Sequence, residues 1–455
     1  MGGVPTMLLA GHLAMTPIFP MSPAYRRPLA ILVAAWLLFG GAWLWWILSP
    51  VPAPAPASAA ALLDQSPEQM IQRWQGRLQG NPEDSYAYAQ LGLSYLLQVR
   101  ETADASLYGR ADQAFDAALR RDPNQFYAII GQGLLALSRH DFAKALTWSE
   151  RGQALNPFSA DALGIQVDGQ VELGRYDQAV VTAQRMVNLR PDLSSYSRAA
   201  YLRELNGDTA GAIVAMKAAV EASVPGSEPM LWTQTQLGHL YRREGDLDAA
   251  AAAYRIALHF RANYPFALGG MAALAAAKGD DAAAIATYTE LVNRLPLPEF
   301  IIPLGELYER AGDKAQAKQQ YELVRVVERL QAAAGANVDL ELARFDIDHG
   351  AEPVTALAAA RVAYAERPTL YAADTLAWAL YHTGDFVQAR RFSDEAMRLG
   401  TQDAMLSFHA GMIAQALGDM NTARQQLQRT MSINPEFDIL QAAPARRALA
   451  ASGRE

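Results

Sequence analysis

The chain has 455 residues, 51% of them hydrophobic and 19% charged, so it can bury a core and is not disordered overall. Its 39 Lys and Arg against 47 Asp and Glu give a net charge of −8, which argues against a general nucleic-acid binder. The sequence contains no cysteine, which excludes disulfides, thiolate metal sites and cysteine nucleophiles.

Residues 28–48 are long and apolar enough to cross a bilayer, because about 20 apolar residues match a hydrocarbon core of about 30 Å. Arg26 and Arg27 precede this segment, and the next Lys or Arg is Arg73. Three tryptophans near its far end suit the headgroup level. The positive-inside rule therefore predicts one transmembrane helix, with a cytoplasmic amino end and all that follows residue 48 outside the cytoplasm.

The flanking segments leave two alternatives open. Residues 51–61 contain A-x-A triplets that could be a signal-peptidase site, but a signal h-region is usually about 7–15 residues, which favours an uncleaved anchor. Translation could also begin at Met21, which would shorten the predicted disordered cytoplasmic tail of residues 1–27. The alternating Pro and Ala within residues 49–65 predict an extended linker.

From about residue 66 the sequence repeats itself. Pro123, Pro157 and Pro191 follow one another at intervals of 34 residues, and each closes a stretch with helical spacing of apolar residues. Small-residue turns followed by alanine-containing helices recur between and beyond them, for example GDTAGAI, GDLDAAA, GDDAAAI and GDFVQAR. A Gly can end one helix in the left-handed conformation and the Asp can cap the next, so each unit is predicted to be two antiparallel helices.

At these residues the chain resembles the tetratricopeptide repeat family. The clearest copy consists of Leu237, Gly238, Tyr241, Gly245, Ala250, Tyr254 and Ala257. The resemblance implies an all-α fold, a right-handed α-solenoid of about ten helix-turn-helix units within residues 66–455, preceded by the transmembrane helix. A leading helix is expected at 66–80 and a capping helix at 443–451. Each unit would cover the apolar face of its neighbour, so that stability is a nearest-neighbour sum.

No catalytic signature is found in the sequence. H-E-x-x-H, G-x-S-x-G and a Walker loop are absent, and the acidic segment 346–352 is interpreted as a turn and cap instead of a calcium loop. We therefore expect no catalytic residue, no cofactor and no metal. An enzyme is the rival class, but only short ends remain outside the repeats, too small for a separate catalytic domain.

The family resemblance implies a concave groove lined by set positions of each first helix. Carried onto this sequence, those positions predict a hypothetical peptide-binding groove made of Trp232, His239, Arg242, Arg243, Glu306, Tyr371, Trp378, Tyr381, His382 and Phe408. The arginines could bind a carboxylate or phosphate, and the aromatic residues could stack on a peptide side chain, a proline or a sugar ring. The alternative is that the arginines lie on a solvated face and the aromatic residues pack in the core.

The functional prediction is a bacterial-type, single-pass inner-membrane protein whose extracytoplasmic repeats form a scaffold or adaptor for other proteins or peptide segments. Two more specific versions stay open. One is a periplasmic chaperone-like subunit for secretion or cytochrome c maturation. The other is a non-catalytic subunit of an envelope polysaccharide or pilus assembly machine. A cytoplasmic signalling adaptor would require that residues 28–48 do not span a membrane.

Overall fold

The computed structural model describes residues 66–349 and 352–452, and all regular secondary structure in these ranges is α-helical. Within this part of the chain, no helix combines the length and the apolar character that crossing a membrane requires. The predicted tail, transmembrane helix and linker (1–27, 28–48 and 49–65) lie outside the described residues, so these three assignments stay predictions.

The described residues form a leading helix, ten helix pairs and a closing helix. The leading helix α1 is Pro67–Gly80 and the closing helix α22 is Ala442–Ser452. The first five pairs, units 1 to 5, are α2–α3 (Ser85–Thr102, Leu107–Arg121), α4–α5 (Phe126–Ser138, Phe142–Leu155), α6–α7 (Ala160–Glu172, Tyr176–Leu189), α8–α9 (Leu193–Leu205, Thr209–Glu221) and α10–α11 (Glu228–Arg243, Leu247–Phe260).

Units 6 to 10 follow the same plan. They are α12–α13 (Pro265–Ala277, Asp281–Arg294), α14–α15 (Pro298–Arg310, Lys314–Ala333), α16–α17 (Asp339–His349, Pro353–Glu366), α18–α19 (Leu370–His382, Phe386–Ala396) and α20–α21 (Ala404–Ala416, Met420–Ile433). Each helix packs against the next in sequence, and first helices of successive units also touch. The all-α solenoid of ten units with a leading and a closing helix is thus confirmed for the described residues.

The Gly-Asp pairs act as the sequence predicts. Gly245 ends α10 in the left-handed region with φ of 77°, and the Asp246 carboxylate accepts a hydrogen bond of 3.0 Å from the Ala249 amide. This satisfies one of the free N–H groups at the start of α11. The same cap by the Asp of the turn recurs at Asp208, Asp280, Asp313, Asp385 and Asp419.

Small residues allow the paired helices to approach closely. A Cβ atom on Gly238 of α10 would lie 2.3 Å from the ring of Tyr254 on α11, so no larger residue fits there. Tyr254 is completely buried, and its ring also lies against Gly270 of α12, the first helix of the next unit. One aromatic ring therefore joins the two helices of unit 5 to unit 6.

The repeats also contact each other far along the chain, which the sequence did not predict. The turns inside units 2, 3 and 4 each touch a loop between two much later units, and unit 5 touches the loop that follows unit 10. Asn337 donates its N–H to the Arg139 carbonyl (2.8 Å), and the His140 ring bonds to the Asn337 carbonyl (2.8 Å). This places the turn of unit 2 on the loop between units 7 and 8.

The next three units repeat this offset. Leu370 donates its N–H to the Tyr176 hydroxyl (2.9 Å), between unit 3 and the loop before unit 9. Thr401, before unit 10, donates to the Leu205 carbonyl of unit 4. Asn434, after unit 10, donates to the Arg242 carbonyl of unit 5 (3.0 Å).

Unit 1 completes the series, because Ala103 in its turn packs on the core cluster of units 6 and 7. We call these five sets of contacts the seam. The hydrogen-bonded partners in the seam are 192 to 198 residues apart. One superhelical turn therefore takes between five and six units, and the edge of units 1 to 5 lies directly on the edge of the units that follow.

Candidate functional site

Because the seam joins successive superhelical turns, the first helices face an interior with a continuous wall. A cavity of about 700 Å³ on this inner face lies against the first helices of units 3, 4 and 5 and the end of α2. We call it the central cavity. Its size is within the range of ligand-binding pockets, about 300–1,000 Å³.

The central cavity has an apolar floor. Val171, Leu202 and Leu240 are buried core residues that show one side to the cavity, and Trp232 stands beside them with 36% of its surface exposed. Such an indole can cover an apolar side chain while its N–H reaches a polar partner. The sequence prediction for Trp232 is consistent with this position on the inner face.

The arginines around the floor are already paired. Arg198 makes a two-point contact with the Asp168 carboxylate (2.8 and 2.6 Å), and Arg243 contacts Glu204 (2.5 Å). Two-point pairing fixes the plane of the guanidinium group. The cavity therefore offers an apolar floor bordered by balanced ion pairs instead of a net positive field.

Burial of the ion pair between Glu204 and Arg243 disfavours the charged form of the Glu204 carboxyl. Burial raises the pKa of the Glu204 carboxyl above its usual value, and the neighbouring Arg243 offsets only part of that effect. Its side chain is 13% exposed. The Glu204 carboxylate therefore depends on Arg243 to stay charged. Arg243 is thus part of an internal ion pair.

A second cavity of about 340 Å³ continues from Arg243 along units 5, 6 and 7. His239 and Arg242 line it on one side and Glu299 and Glu306 on the other. Burial raises the pKa of each of these two glutamates to about 7. The side chain of Arg242 makes no ion pair with any described residue, whereas Glu306 contacts the His349 ring at 3.3 Å.

His239 is held in a neutral form. Its Nδ1 lies 2.7 Å from the Tyr254 hydroxyl, the ring that joins units 5 and 6. Burial, together with the charges of Arg242 and Arg243, holds the pKa of His239 well below its usual value. Its imidazole therefore serves as a hydrogen-bonding group and not as a cation at neutral pH.

A third cavity of about 190 Å³ lies beside the seam. Arg344 of unit 8 and Tyr371 of unit 9 line it, opposite Glu172 of unit 3 and Tyr201 of unit 4. Tyr201 and Glu172 also line the central cavity. The inner face of the first superhelical turn thus continues into that of the second, and Tyr371 occupies this junction.

Trp378 and Phe408 are buried in the core and do not line an open groove as the sequence predicts. Trp378 is 5% exposed and Phe408 is 1% exposed, so neither side chain is open to a groove. Both belong to one core cluster with Ala445 and Ala448 of the closing helix α22, and Phe437 packs on Phe408 at 5.5 Å. The closing helix and the loop before it cover this end of the inner face, which the position rule for a first helix does not anticipate.

The two remaining aromatic positions lie next to this cluster. Tyr381 is half-buried and stacks on Trp378 at 4.6 Å, while His382 is exposed and meets the same indole edge-on at 4.7 Å. Of the ten predicted residues, six line the three cavities: Trp232, His239, Arg242, Arg243, Glu306 and Tyr371. Whether any of the ten binds a partner stays a prediction.

The acidic segment 346–352 is more helical than expected. Asp346 and Asp348 lie in α16, where Asp346 pairs with Arg325 (2.8 Å) and Asp348 accepts a hydrogen bond from Trp378 (3.0 Å). Residues 350 and 351 of this segment lie outside the described residues, so the turn predicted there stays a prediction. The described residues hold no group of three or more His, Cys, Asp or Glu that could bind a metal ion.

Several inner-face residues were missed from the sequence because unit 4 has no glycine at its small position. Ala200 stands there, completely buried, and counting from it places Tyr201 and Glu204 on the inner face. The Gly207-Asp208 turn that follows was available as a signal for this register.

The comparison with protein families matches this geometry. The model of the family described as "Tetratricopeptide repeat" matches residues 233–262, which cover most of α10 and α11, the two helices of unit 5. Unit 5 is therefore similar to a tetratricopeptide repeat. The sequence-based resemblance is thereby confirmed, and tetratricopeptide repeat folds are scaffolds that bind proteins or peptides.

Solved structures similar to this chain are distant in sequence. A tetratricopeptide repeat protein from Parabacteroides merdae ATCC 43184 is 19% identical, with a TM-score of 0.35, covering 58% of this chain and 99% of that one. The Cut9 and Hcn1 hetero-tetramer of APC/C gives 15% identity, a TM-score of 0.40, and coverage of 84% and 81%. YrrB, a TPR protein described as having an unusual peptide-binding site, is 20% identical with a TM-score of 0.27. The match covers 44% of this chain and 97% of that one. No curated protein matches the chain.

Proposed function

We propose that the chain is a membrane-anchored, extracytoplasmic scaffold that holds an extended segment of a partner protein on the inner face of its superhelix. The observation that supports this most is the central cavity of about 700 Å³ with Trp232 exposed at its apolar floor. An extended segment can bury apolar side chains there and satisfy its backbone with the polar border.

The seam favours a segment over a folded surface as the ligand. Since the edges of successive superhelical turns are in contact, the inner face is reached along the axis and not from the side. A bulky folded domain would have to break these contacts, whereas a single extended chain would leave them in place.

The membrane anchor is supported by the sequence of residues 28–48 and by the arginine pair before it. An anchor would concentrate the scaffold and its partner at one surface, which raises the effective concentration of the second contact. Protease added to spheroplasts should then digest the repeats, and intact repeats would contradict the extracytoplasmic location.

The binding proposal can be tested by site-specific photo-crosslinking of the full-length protein in its own membranes. A photoreactive residue at position 232 should capture a partner, while the same residue at Val181, 63% exposed on the second helix of unit 3, serves as the control. Mass spectrometry would identify the captured segment. Equal capture at both positions would contradict binding on the inner face.

A further inference from the structure

Three aromatic rings form a row at the start of the repeats. The Trp74 ring of α1 meets Tyr86 of α2 at 5.8 Å and 80°, and Tyr86 meets Tyr127 of α4 at 5.6 Å and 82°. We call Trp74, Tyr86 and Tyr127 the aromatic row. Tyr86 and Tyr127 are 39% and 45% exposed, so the row presents aromatic surface to solvent.

The aromatic row lies on the same face as the central cavity. Tyr86 stands six residues before Gly92, and Tyr127 stands six residues before Gly133. Trp232, which lines the central cavity, stands six residues before Gly238. Tyr86, Tyr127 and Trp232 therefore occupy the equivalent position of their first helices. Since Trp232 lies on the inner face, we place the aromatic row on the inner face of the first two units.

We propose that the aromatic row binds a proline-rich, extended segment that carries an acidic residue beside its prolines. This inference rests on the proposed function and specifies the chemistry of the partner. Rings that meet edge to face leave notches between them, and such notches accept pyrrolidine rings.

Proline-rich segments bind aromatic-lined surfaces as polyproline II helices, which present the same face every three residues, about 9.3 Å. The edge-to-face rings at 5.6 and 5.8 Å form a continuous aromatic surface for such a segment. A proline-rich segment is already extended and has no internal hydrogen bonds, so it loses little conformational entropy when it binds.

Charge complementarity selects the acidic neighbour. The guanidinium groups of Arg73 and Arg77 lie over the Trp74 ring at 5.1 and 5.8 Å. Arg77 is paired with Asp84 (2.6 Å), whereas Arg73 is exposed and makes no ion pair with any described residue. The end of the row at α1 therefore presents one unpaired positive charge to a segment that lies along the rings.

The test uses the full-length protein in lipid nanodiscs and two synthetic peptides, one with six prolines followed by two glutamates and one with six prolines followed by two alanines. Isothermal titration calorimetry should show the acidic peptide binding several-fold more tightly than the neutral one, and Arg73→Ala should abolish that difference. Equal affinity of the two peptides for the unmodified protein would overturn the charge assignment.

The ring contribution is tested with the double variant Tyr86→Ala and Tyr127→Ala, which should weaken binding at least tenfold. The matched control is Phe158→Ala, because Phe158 is 78% exposed in the loop before α6 and outside the row. Replacing both tyrosines by Phe should retain most of the affinity, since the rings remain. Unchanged binding by the alanine double variant, with unchanged circular dichroism melting, would overturn the proposal.

The outcome separates this inference from the proposed function. If neither peptide binds while position 232 still captures a partner, the proline-rich assignment is wrong and the scaffold function stands. If capture at position 232 also fails, the proposed function itself is contradicted.

Discussion

Trp378 lies flat against His409, with ring centroids 4.0 Å apart and planes 14° from parallel. The Trp378 indole also stacks on the Tyr381 ring, and its N–H donates a hydrogen bond of 3.0 Å to the Asp348 carboxylate. His409 in turn contacts Asp374 at 2.9 Å. First helices of units 8, 9 and 10 are thus held together through one buried indole.

Replacing Trp378 by Ala should therefore destabilise the protein by about 3–5 kcal/mol, the usual range for a buried Trp. Urea unfolding followed by circular dichroism would measure the change in the free energy of unfolding. Trp232→Ala is the matched control, because its indole is 36% exposed and its loss should cost much less. Similar costs for the two variants would show that the interpretation of Trp378 as a core residue is wrong.

The helix pairs could be predicted from the sequence because each unit carries its own local marks. A glycine that must be left-handed, an aspartate that caps the next helix and a small residue opposite an aromatic ring are all readable within 34 residues, as at Gly245, Asp246 and Gly238. These marks also give the register of the first helix, which is why six of the ten predicted residues line the cavities.

The seam and the buried end of the inner face could not be predicted in this way. The superhelical offset is the sum of small rotations between neighbouring units, and no single residue encodes that sum. Trp378 and Phe408 were misassigned because their positions normally face the groove. Helix α22, which lies outside the repeat pattern, covers them.

The pKa of Glu328 predicts a pH dependence of stability. Glu328 is 5% exposed, and burial, with the Asp346 carboxylate, raises its pKa to about 7. Since this value exceeds that of an unfolded chain, near 4.5, the folded protein binds the proton more tightly. The stability contributed by this group is full below about pH 4.5 and is lost as pH rises through about 7, at most about 3 kcal/mol.

The variant Glu328→Gln should flatten this part of the stability profile, making the protein more stable at pH 8 than the unmodified chain. Glu322→Gln is the control on the same helix, because the Glu322 side chain is 67% exposed. Unfolding by urea at pH 5 and pH 8 gives the comparison. If both variants keep the slope of the unmodified protein, Glu328 is not responsible for it.

The seam predicts a specific weak point at Tyr176. Its hydroxyl accepts the hydrogen bond of the Leu370 amide, and Tyr176 is 5% exposed, so Tyr176→Phe leaves a buried N–H without a partner. This should cost about 1–3 kcal/mol. Hydrogen exchange followed by mass spectrometry should show faster exchange around residue 370.

The control for this exchange experiment is Tyr288→Phe. Tyr288 is also buried, but its hydroxyl donates to the Gly269 carbonyl within unit 6, away from the seam. It should lower stability without a local change near residue 370. Unaltered exchange there in the Tyr176 variant would mean that this contact does not hold the seam.

The two adjacent arginines of α10 should behave differently when each is changed to Gln. Arg243→Gln removes the partner of Glu204, whose side chain is 13% exposed, and should lower the free energy of unfolding by about 1–3 kcal/mol, the usual cost of an unpaired buried polar group. Arg242→Gln should leave stability nearly unchanged, because its side chain makes no ion pair with a described residue. Its effect should appear in the binding of an acidic segment, with a flatter salt dependence.

Thermal and urea unfolding, together with binding at low and high salt, would measure both variants. A stability loss at Arg242 equal to that at Arg243 would show that the two guanidinium groups are both structural. Unchanged affinity of Arg242→Gln for a captured segment would remove Arg242 from the binding surface.

Gly174 illustrates what the seam requires of folding. It is left-handed with φ of 68°, and a Cβ there would lie 2.3 Å from the carbonyl oxygen of Pro368. That oxygen belongs to a loop synthesised almost two hundred residues later, so the amino-terminal units leave the ribosome with one edge still bare. The last units thus complete the first ones, and a chain arrested halfway through translation would show an unfinished edge to chaperones and proteases.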